Sequence, residues 1–354
     1  MLIAFVGGGT LGSVVPLLAV RDALAAHPDA EFAWLGSVSG PERTLVTAVG
    51  IRFTAVHAGK WRRYFSYSNV FAPVLTLWGA WQSWRWLRRC RPDVVVGAGS
   101  YVQVPVVWAA HWLGIAVLLH QPDYGVGLAT RMVRRYATRI TTAFRATAAQ
   151  LGEGAVAIGH PVPASLREGD AARAVTRFGL EAGVPTVLVL GGSLGAQRLN
   201  DAIVAGLPQL VTDAQVIHQT GAGKMSAAVV HPRYHPVEFL REELADAYAV
   251  ADVVVTRGGM GALSEVASLG KPAVVVPLPD SPQEANVAEF ARLNAALVLT
   301  QPSSEELAGA VCSLLGDVGL RASLARNIRA VLAPDAAGRL AALILETVAH
   351  HDGK

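Results

Sequence analysis

The stretch TVLVLGGSLGAQRLN, residues 186–200, shows how the chain folds. Residues 186–190 form an apolar run typical of a buried strand, and two glycines follow before a segment with helical spacing. A strand, a glycine loop and a helix in this order indicate a parallel βαβ fold, whose ligands bind at the carboxyl ends of the strands. Glycines let a ligand approach the backbone, and a helix start offers N–H groups to an anion, so Gly192 and Ser193 could hold a diphosphate.

Two other predicted strands run into glycine loops. Residues 2–6 precede GGGTLGS at 7–13, and residues 252–255 precede TRGGMG at 256–261. The first loop lacks the acidic residue that a nicotinamide site places after its second strand, and it lacks the Gly-Lys-Ser/Thr of a P-loop. Taken alone it could be a structural turn, but its helix start would also expose N–H groups to an anionic ligand.

Short apolar strands alternate with helical patterns along the whole chain, which is typical of parallel sheets covered on both faces. The pattern predicts a first series of strands at 2–6, 31–35, 51–56, 93–96, 115–119, 138–141 and 155–158. It predicts a second series at 186–190, 214–218, 235–239, 252–255, 273–276 and 296–299. We therefore expect an α/β protein with two doubly wound, Rossmann-like domains facing a cleft.

The domain boundaries follow from the same pattern. The segment GHPVP at 159–163 is typical of a linker, because a glycine and two prolines follow a strand. The prediction is one domain at 1–160, a second at 164–330, and a C-terminal segment at 331–354 whose helix returns to the first domain.

Composition excludes several classes of protein. The chain has 354 residues, of which 52% are hydrophobic and 16% charged, so a disordered chain is excluded. Its two cysteines, Cys90 and Cys312, are too few for a disulfide framework or a cysteine zinc site, and they fit a reducing compartment. Residues 94–122 carry no Asp, Glu, Lys or Arg and are long enough to cross a bilayer, but their glycines and proline favour a buried strand, helix and strand.

Charge is distributed unevenly along the chain. Residues 1–160 carry 15 Lys and Arg against 7 Asp and Glu, whereas residues 161–354 carry 15 against 20. The basic excess is concentrated in two segments without any acidic residue, 60–91 and 124–152. Such asymmetry suggests an anionic partner: a nucleic acid, an anionic lipid or a polyphosphate.

The segment 60–91 also interleaves aromatic residues with arginine, as membrane-interface segments do. We expect it to bind an anionic membrane surface peripherally. The alternative is a core helix around 72–89, in which Trp78, Trp81 and Trp84 form one buried stripe. Nucleic acid is not expected as a partner, because the sequence contains no nucleic-acid-binding motif.

Three polar residues of the second half could bind a sugar nucleotide. Glu265 falls in the first turns of the helix after loop 256–261, where a carboxylate could accept both hydroxyls of a ribose. Complementing the helix dipole is the alternative role for this residue. Gln283 and Asn286 share a helix face and could bind sugar hydroxyls, or else cap the helix and face solvent.

Several motifs occur in one order along the chain and together match one family. They are Gly-Gly-Thr in the first loop, GGSLGAQRLN at 191–200, HQTG at 218–221, Ala247-Tyr248-Ala249, Arg257-x-Gly259, Ser264-Glu265 and Gln283-x-x-Asn286. With them, the chain resembles the MurG family of glycosyltransferase family 28. These are GT-B enzymes that transfer GlcNAc from UDP-GlcNAc to lipid I and so make lipid II for peptidoglycan. The resemblance extends over nearly the whole chain.

The resemblance implies a GT-B fold and an inverting hexosyltransferase whose second domain binds UDP-GlcNAc. It places the diphosphate at Ser193, the ribose at Glu265, the uracil near Leu240 and the GlcNAc at Gln283, while the first glycine loop meets the sugar and the acceptor. The implied substrate-binding residues are Thr10, Leu11, Gly12, Ser13 and Asp123 in the first domain, and Gly192, Ser193, Leu240, Met260, Gly261, Ala262, Leu263, Ser264, Glu265, Gln283 and Asn286 in the second.

The resemblance also implies partners and a location. The acceptor would carry a polyprenyl diphosphate, and the protein would be peripheral on the cytoplasmic face of the cell membrane. No cofactor is expected, since UDP-GlcNAc is a substrate, and no metal is expected, since no residues have metal-ligand spacing.

The chain departs from the family pattern where a catalytic base is expected. Ser13 stands where the family usually has His, and HQPD at 120–123 replaces His-Glu-Gln-Asn. His160 and Pro163 replace an Asn and an Arg. A serine is too weak a base near neutral pH, so Ser13 would position a ligand and the base would lie elsewhere.

Two other residues are therefore candidate catalytic residues. Asp123 lies in the loop after the strand at 115–119, where the cleft is expected, and turn capping beside Pro122 is its alternative role. His120 is the second candidate, and a structural role at the strand end is its alternative.

Other functions remain open at this point. One is transfer to a different lipid acceptor, such as a diacylglycerol. A UDP-GlcNAc 2-epimerase shares the two-domain architecture but needs more acid–base residues in the cleft than the sequence offers. A non-catalytic lipid- or nucleotide-binding protein is the third.

Overall fold

The computed structural model describes residues 1–25, 27, 29–60, 67–192, 196–225 and 229–352. The chain divides into two compact units, one formed by Met1–Pro163 with Asp335–Lys354 and the other by Ala164–Pro334. All thirteen predicted strands are present, with ends shifted by at most two residues.

The first unit is built on a seven-stranded sheet. Its strands are β1 (Leu2–Val6), β2 (Glu31–Ser37), β3 (Arg52–Val56), β4 (Val94–Gly97), β5 (Ala116–Gln121), β6 (Arg139–Thr142) and β7 (Ala155–Ala157). Their order in the sheet is β3-β2-β1-β4-β5-β6-β7, and every pairing is parallel. The loops after β1, β4 and β5 therefore lie side by side at one edge of the sheet.

Helices cover both faces of this sheet. They are α1 (Val15–Leu24), α2 (Glu42–Ala48), α3 (Tyr67–Cys90), α4 (Gln103–Trp112), α5 (Leu128–Val133) and α6 (Arg145–Leu151). Ile3 and Phe5 pack into one core with α1, whereas Ala4 and Val6, on the opposite face of β1, pack into a second core with α4. Because both faces are apolar, the strands have continuous hydrophobic sequences.

The charge-free segment 94–122 forms β4, α4 and β5, as predicted. Many of its apolar side chains are buried in the core between the sheet and α4. Within the part of the chain that the structure describes, no helix has both the length and the apolar character that a membrane span requires.

The second unit is built on a six-stranded parallel sheet. Its strands are β8 (Thr186–Leu190), β9 (Gln215–Gln219), β10 (Tyr234–Val237), β11 (Val253–Thr256), β12 (Ala273–Val275) and β13 (Leu297–Val298). Their order is β10-β9-β8-β11-β12-β13. Its helices are α7 (Ala171–Phe178), α8 (Gln197–Asp213), α9 (Leu244–Val250), α10 (Met260–Leu269), α11 (Gln283–Arg292), α12 (Ser304–Gly316) and α13 (Val318–Val331).

The last helix, α14 (Ala336–Asp352), belongs to the first unit. It packs against α1, and its buried side chains Leu340, Ile344 and Val348 complete the core around β1 and β4. The second unit extends to Pro334 rather than to 330, because α13 packs against α10 and α12.

Candidate functional site

Three loops meet at the carboxyl edge of the second unit's sheet. They follow β8, β11 and β12, and β11 lies between the other two strands. Gly191 and Gly192 begin the first loop. Ser193 lies outside the described residues, so its contact with a diphosphate stays a prediction.

Helix α10 begins directly after the second of these loops and has no side-chain cap. Its N-cap is Gly259, so the first N–H groups of the helix have no capping side chain, and no described side chain accepts from them. The Oγ of Ser264 is also buried and has no hydrogen-bond partner among the described residues. Open N–H groups at a helix start attract an anion.

Only one face of the predicted segment 260–265 is partly exposed. Gly261, Ala262 and Glu265 are half-buried, whereas the other three side chains are buried. The side chain of Leu263 is wholly within the core, so a contact between Leu263 and the nucleotide would involve its backbone and stays a prediction.

Arg257 follows β11 directly and is 9% exposed. Within the described chain, its guanidinium forms no hydrogen bond or ion pair. Burial lowers the pKa of Arg257, and the positive charge of Arg198 at the start of α8 lowers it further. A buried cation with only a like charge beside it is costly, so this position favours an anionic ligand. In the sequence, Arg257 stands out only as part of the motif Arg257-x-Gly259, because the burial of an arginine after a strand has no local sequence signal.

Glu265 lies on α10 and is paired with a tyrosine. The hydroxyl of Tyr248, fully buried on α9, donates to Glu265 Oε2 at 2.7 Å. Burial raises the pKa of Glu265 to about 7, and the bond from Tyr248 partly opposes that shift. The second carboxylate oxygen, Oε1, makes no hydrogen bond to a described residue and could accept from a ligand hydroxyl.

Two side chains of helix α11 form hydrogen bonds to the backbone of the loop after β11. The Oε1 of Gln283 accepts from the N–H of Gly258 at 3.1 Å, and the Nδ2 of Asn286 donates to the Gly258 carbonyl at 3.3 Å. A Cβ at Gly258 would lie 2.6 Å from Val287, so only glycine allows this close packing. Asn286 is fully buried, which corrects the expectation that it contacts the sugar; it positions the loop instead.

Gln219, the last residue of β9, connects two other predicted ligand residues. Its Oε1 accepts from the N–H of Leu240 at 2.9 Å, and its Nε2 lies 3.5 Å from the Gly192 carbonyl, to which it donates. Because the Leu240 N–H is taken, base recognition at this residue would depend on its carbonyl. Neighbouring His218 is buried against Asn200, and burial lowers the pKa of His218 to about 4, so this histidine is structural.

In the first unit, the loop 7–13 is closed by its own hydrogen bonds. The N–H groups of Gly7, Gly8 and Gly9 donate to Leu35 O, Ser13 Oγ and Glu42 Oε2 respectively. These three amides have acceptors within the unit, and contact between the rest of the loop and an anionic ligand stays a prediction. The tip formed by Thr10, Leu11 and Gly12 is the partly exposed portion of the loop.

Ser13 is turned into this loop. It is 6% exposed, and its hydroxyl interacts with the backbone of Gly8 and lies 3.3 Å from the Thr10 carbonyl, to which it donates. The structure therefore gives Ser13 the role of closing the loop, and direct contact with a ligand stays a prediction.

Asp123 lies in the loop after β5 and is half-buried. The Nε2 of Gln121 donates to the carbonyls of Asp123 and Gly125 at 3.1 and 3.0 Å, which fixes the loop backbone. The loop after β4 lies between this loop and the glycine loop, and its Ser100 Oγ donates to the Gly8 carbonyl at 2.9 Å. One edge of the first unit thus carries both Asp123 and the tip of loop 7–13.

His120 is placed differently from Asp123. It is 1% exposed, with Nδ1 3.0 Å from Thr141 Oγ1 and Nε2 3.0 Å from His160 Nδ1. Burial lowers the pKa of His120 well below its usual range, and His160 adds to that shift. Both ring nitrogens have partners inside the unit, which corrects the expectation of a catalytic His120: it offers no nitrogen to a substrate proton.

No group of three or more His, Cys, Asp or Glu side chains that could hold a metal occurs in the described ranges. The second unit offers a cation, open helix N–H groups and a carboxylate, and the first offers Asp123 beside a rigid loop.

Comparison with known proteins places this arrangement in a family. Residues 3–142 match the model of the glycosyltransferase family 28 N-terminal domain, and residues 186–317 match that of the C-terminal domain. A UDP-N-acetylglucosamine--N-acetylmuramyl-(pentapeptide) pyrophosphoryl-undecaprenol N-acetylglucosamine transferase of Lachnospira eligens is 35% identical over 323 residues, 89% of this chain and 91% of that protein. The protein of the same name from Shouchella clausii is 40% identical over 278 residues, 78% of each chain.

A solved structure agrees with the sequence relatives. The crystal structure of Acinetobacter baumannii MurG superimposes with a TM-score of 0.74 at 27% identity and covers 98% of this chain and 99% of its own. The two parallel-sheet units are therefore the two Rossmann-like domains of a GT-B glycosyltransferase. The chain belongs to glycosyltransferase family 28, within its MurG group.

Proposed function

We propose that the chain catalyses the inverting transfer of GlcNAc from UDP-GlcNAc to lipid I, undecaprenyl-diphospho-muramoyl-pentapeptide, giving lipid II in peptidoglycan synthesis. The observation that carries the proposal is Arg257, a buried guanidinium that has no anionic partner among the described residues, in the loop that leads into α10. A diphosphate supplies the missing charge. The relatives are named for transfer from UDP-N-acetylglucosamine, so we infer that the diphosphate is that of UDP-GlcNAc.

The part of the site that binds the donor, UDP-GlcNAc, is assigned from the polar groups that have no hydrogen-bond partner among the described residues. The diphosphate binds Arg257 and the N–H groups at the start of α10, and the ribose hydroxyls donate to Glu265 Oε1. The Leu240 carbonyl accepts from the uracil N–H. Gln283 uses Oε1 on the Gly258 and Leu278 N–H groups, which leaves its Nε2 to donate to a hydroxyl of GlcNAc.

The transfer step needs one base and stabilisation of one leaving group. Asp123 takes the proton of the acceptor hydroxyl while its oxygen bonds to the anomeric carbon of GlcNAc. The bond from that carbon to the diphosphate oxygen breaks, and UDP leaves with the electron pair. Arg257 and the α10 N–H groups stabilise the charge that develops on the diphosphate.

The proposed function is tested by incubating the purified protein with UDP-GlcNAc and lipid I in detergent. Lipid II and UDP are the expected products. Formation of UDP-ManNAc without acceptor would show an epimerase instead, and transfer to diacylglycerol but not to lipid I would show a different acceptor. No turnover with a folded, UDP-GlcNAc-binding protein would show a binding protein.

Affinity for UDP-GlcNAc is expected to rise about tenfold between pH 6 and pH 8. The ribose hydroxyls donate to the ionised form of Glu265, and burial raises the pKa of this carboxyl to about 7. The ionised fraction, and with it the affinity, therefore increases through that range. Glu265→Gln should bind more weakly by about 1–3 kcal/mol and lose the pH dependence. Calorimetry across the range measures both effects.

The matched control is Glu305→Gln, which removes an exposed carboxylate from α12. This variant should retain the pH dependence of the wild type. If Glu265→Gln bound UDP-GlcNAc with unchanged affinity and an unchanged pH profile, Glu265 would not belong to the nucleotide site.

We also propose that α3 attaches the protein peripherally to an anionic membrane, on the cytoplasmic face. Trp78 and Trp81 are 49% and 46% exposed and stack on each other. The interpretation of one buried Trp stripe is wrong for these two residues. Further exposed side chains of α3 are Phe71, Val74, Leu75 and Leu77. The buried side consists largely of small residues: Ala72, Thr76, Gly79, Ala80 and Ser83.

The C-terminal half of α3 adds positive charge to this apolar surface. Arg85 lies over the ring of Trp81 and Arg88 over that of Trp84, at 5.9 and 5.1 Å from the ring centroids. Aromatic rings at headgroup depth with adjacent cations are typical of membrane-interface contacts. The aromatic and basic residues at 61–66 lie outside the described residues.

Arg85→Glu combined with Arg88→Glu is expected to reduce binding to vesicles that contain phosphatidylglycerol. Each cation near an anionic surface contributes about 1 kcal/mol, so reversing two charges should weaken binding at least tenfold at low salt. Wild-type binding should itself weaken as salt is added, because counterions screen the attraction. Vesicle sedimentation measures both.

Arg326→Glu with Arg329→Glu is the control, because it makes the same charge change at the same spacing on α13 of the second unit. It should bind vesicles like the wild type. Equal losses in the two double variants would show that net charge, and not the α3 surface, controls binding.

A further inference from the structure

Glu42, in the first turn of α2, is fully buried, and the proposed reaction assigns it no task. Its Oε1 accepts from the N–H of Ser37 at 2.7 Å and from the Ser37 hydroxyl at 2.5 Å. Its Oε2 accepts from the N–H of Gly9 at 3.2 Å. Both carboxylate oxygens thus accept hydrogen bonds from residues of neighbouring loops and do not face solvent.

The position of this carboxylate differs from that in a nicotinamide site. In such sites an acidic residue after the second strand binds the ribose of the ligand. Here no acidic residue ends β2, and Glu42, which begins α2, binds the glycine loop of the same unit instead.

The loop is shaped to fit this carboxylate. A Cβ at Gly8 would lie 2.3 Å from Glu42 Oε1, so the loop passes over the carboxylate where only glycine fits. Ser13 and Ser100 hold Gly8 through its N–H and carbonyl, while Glu42 holds Gly9, the residue that directly precedes the exposed tip. The hydrogen bond from the Gly9 N–H to Glu42 is the last contact that holds the loop before Thr10.

We propose that Glu42 is a positioning residue that sets the tip Thr10–Gly12 for the acceptor through its bond to the Gly9 amide. This inference rests on the proposed function, together with the expectation from the family resemblance that the first glycine loop meets the acceptor and the sugar. A carboxylate is required because each of its oxygens accepts, whereas an amide in its place would turn an N–H group either toward Gly9 or toward Ser37. Misplacement of reacting groups by about 1 Å can cost 10²-fold in rate.

The test compares Glu42→Gln with Ser37→Ala. Both variants remove a buried hydrogen bond of the same carboxylate, but Ser37→Ala leaves the bond to Gly9 intact. Glu42→Gln is expected to lower kcat/KM for lipid I about 10–10²-fold, with the Kd for UDP-GlcNAc unchanged because the nucleotide residues belong to the second unit. Ser37→Ala should stay within about threefold of the wild type, although both variants lower Tm.

Hydrogen exchange supplies a readout that does not depend on activity. The amide of Gly9 should exchange faster in Glu42→Gln and at the wild-type rate in Ser37→Ala. If Glu42→Gln fails to fold, Glu42→Asp replaces it in the comparison with Ser37→Ala. The shorter side chain of this variant cannot bond to Ser37 and Gly9 at the same time.

Two outcomes would overturn the inference. One is equal loss of acceptor kcat/KM in Glu42→Gln and Ser37→Ala, which would make the effect one of stability alone. The other is unchanged exchange at Gly9 in Glu42→Gln. A wild-type protein without transfer to lipid I would refute the proposed function instead, and the exchange comparison would still decide whether Glu42 holds the loop.

Discussion

Asp123→Asn is expected to lower the rate of GlcNAc transfer about 10²–10⁴-fold, the usual cost of losing a general base. The substitution removes the proton acceptor while keeping the size of the side chain. Gln121 holds the loop through the backbone carbonyl of Asp123, so the loop should keep its conformation in the variant. Affinity for UDP-GlcNAc should be unchanged, since the residues assigned to the nucleotide belong to the second unit.

Single-turnover transfer to lipid I measures the chemical step directly, and calorimetry with UDP-GlcNAc supplies the affinity. Asp22→Asn is a suitable control, because Asp22 is an exposed carboxylate near the C-terminal end of α1, away from the loop edge. If Asp123→Asn turned over like the wild type while a folded His120→Ala were inactive, the base would be His120 and the assignment to Asp123 would be wrong.

Arg257→Met is expected to weaken UDP-GlcNAc binding by about 2–5 kcal/mol, the range found when one partner of a buried charge pair is removed. In the ligand-free protein the same substitution should raise Tm, because it replaces a buried charge, which has no ion-pair partner among the described residues, with an apolar side chain of similar length. A loss of affinity together with a gain in ligand-free stability is the signature of a charge held in place for an anionic ligand.

Calorimetry and thermal unfolding with and without UDP-GlcNAc test both parts. Arg198→Met removes the neighbouring cation, which is exposed, and should change affinity much less than Arg257→Met does. Unchanged affinity in Arg257→Met would move the diphosphate to another part of the unit. A fall in ligand-free Tm would show that Arg257 supports the fold rather than a ligand.

The fold could be predicted because its signals are local. Each buried strand is a short apolar run, and most loops at the carboxyl edges of the sheets contain glycine or proline, so the order and approximate length of the strands could be predicted. The prediction for 94–122 succeeded for this reason. Which face of α3 is buried could not be predicted from the sequence. Helical spacing places Trp78 and Trp81 on one face but does not show whether that face contacts the core or the solvent.

The candidate site was predictable only where a residue's role follows from its position in a motif. Glu265 and Gln283 lie at the predicted edge of the sheet. Asn286 has the same helix face as Gln283, yet it is fully buried, and only the packing of α11 on Gly258 shows this. The pairing of His120 with His160 joins residues from separate strands, and no local pattern in the sequence reports such a contact.

Helix α14 has a consequence for the order in which the protein is made. Its side chains Leu340, Ile344 and Val348 belong to the core around β1 and β4, but a ribosome translates them after the entire second unit. Domains generally fold as units during synthesis, N-terminal ones first. Here the second unit is complete while the first still lacks part of its interior. We therefore expect the first unit, although it is translated first, to finish folding last, because its core around β1 and β4 is incomplete until α14 has been made.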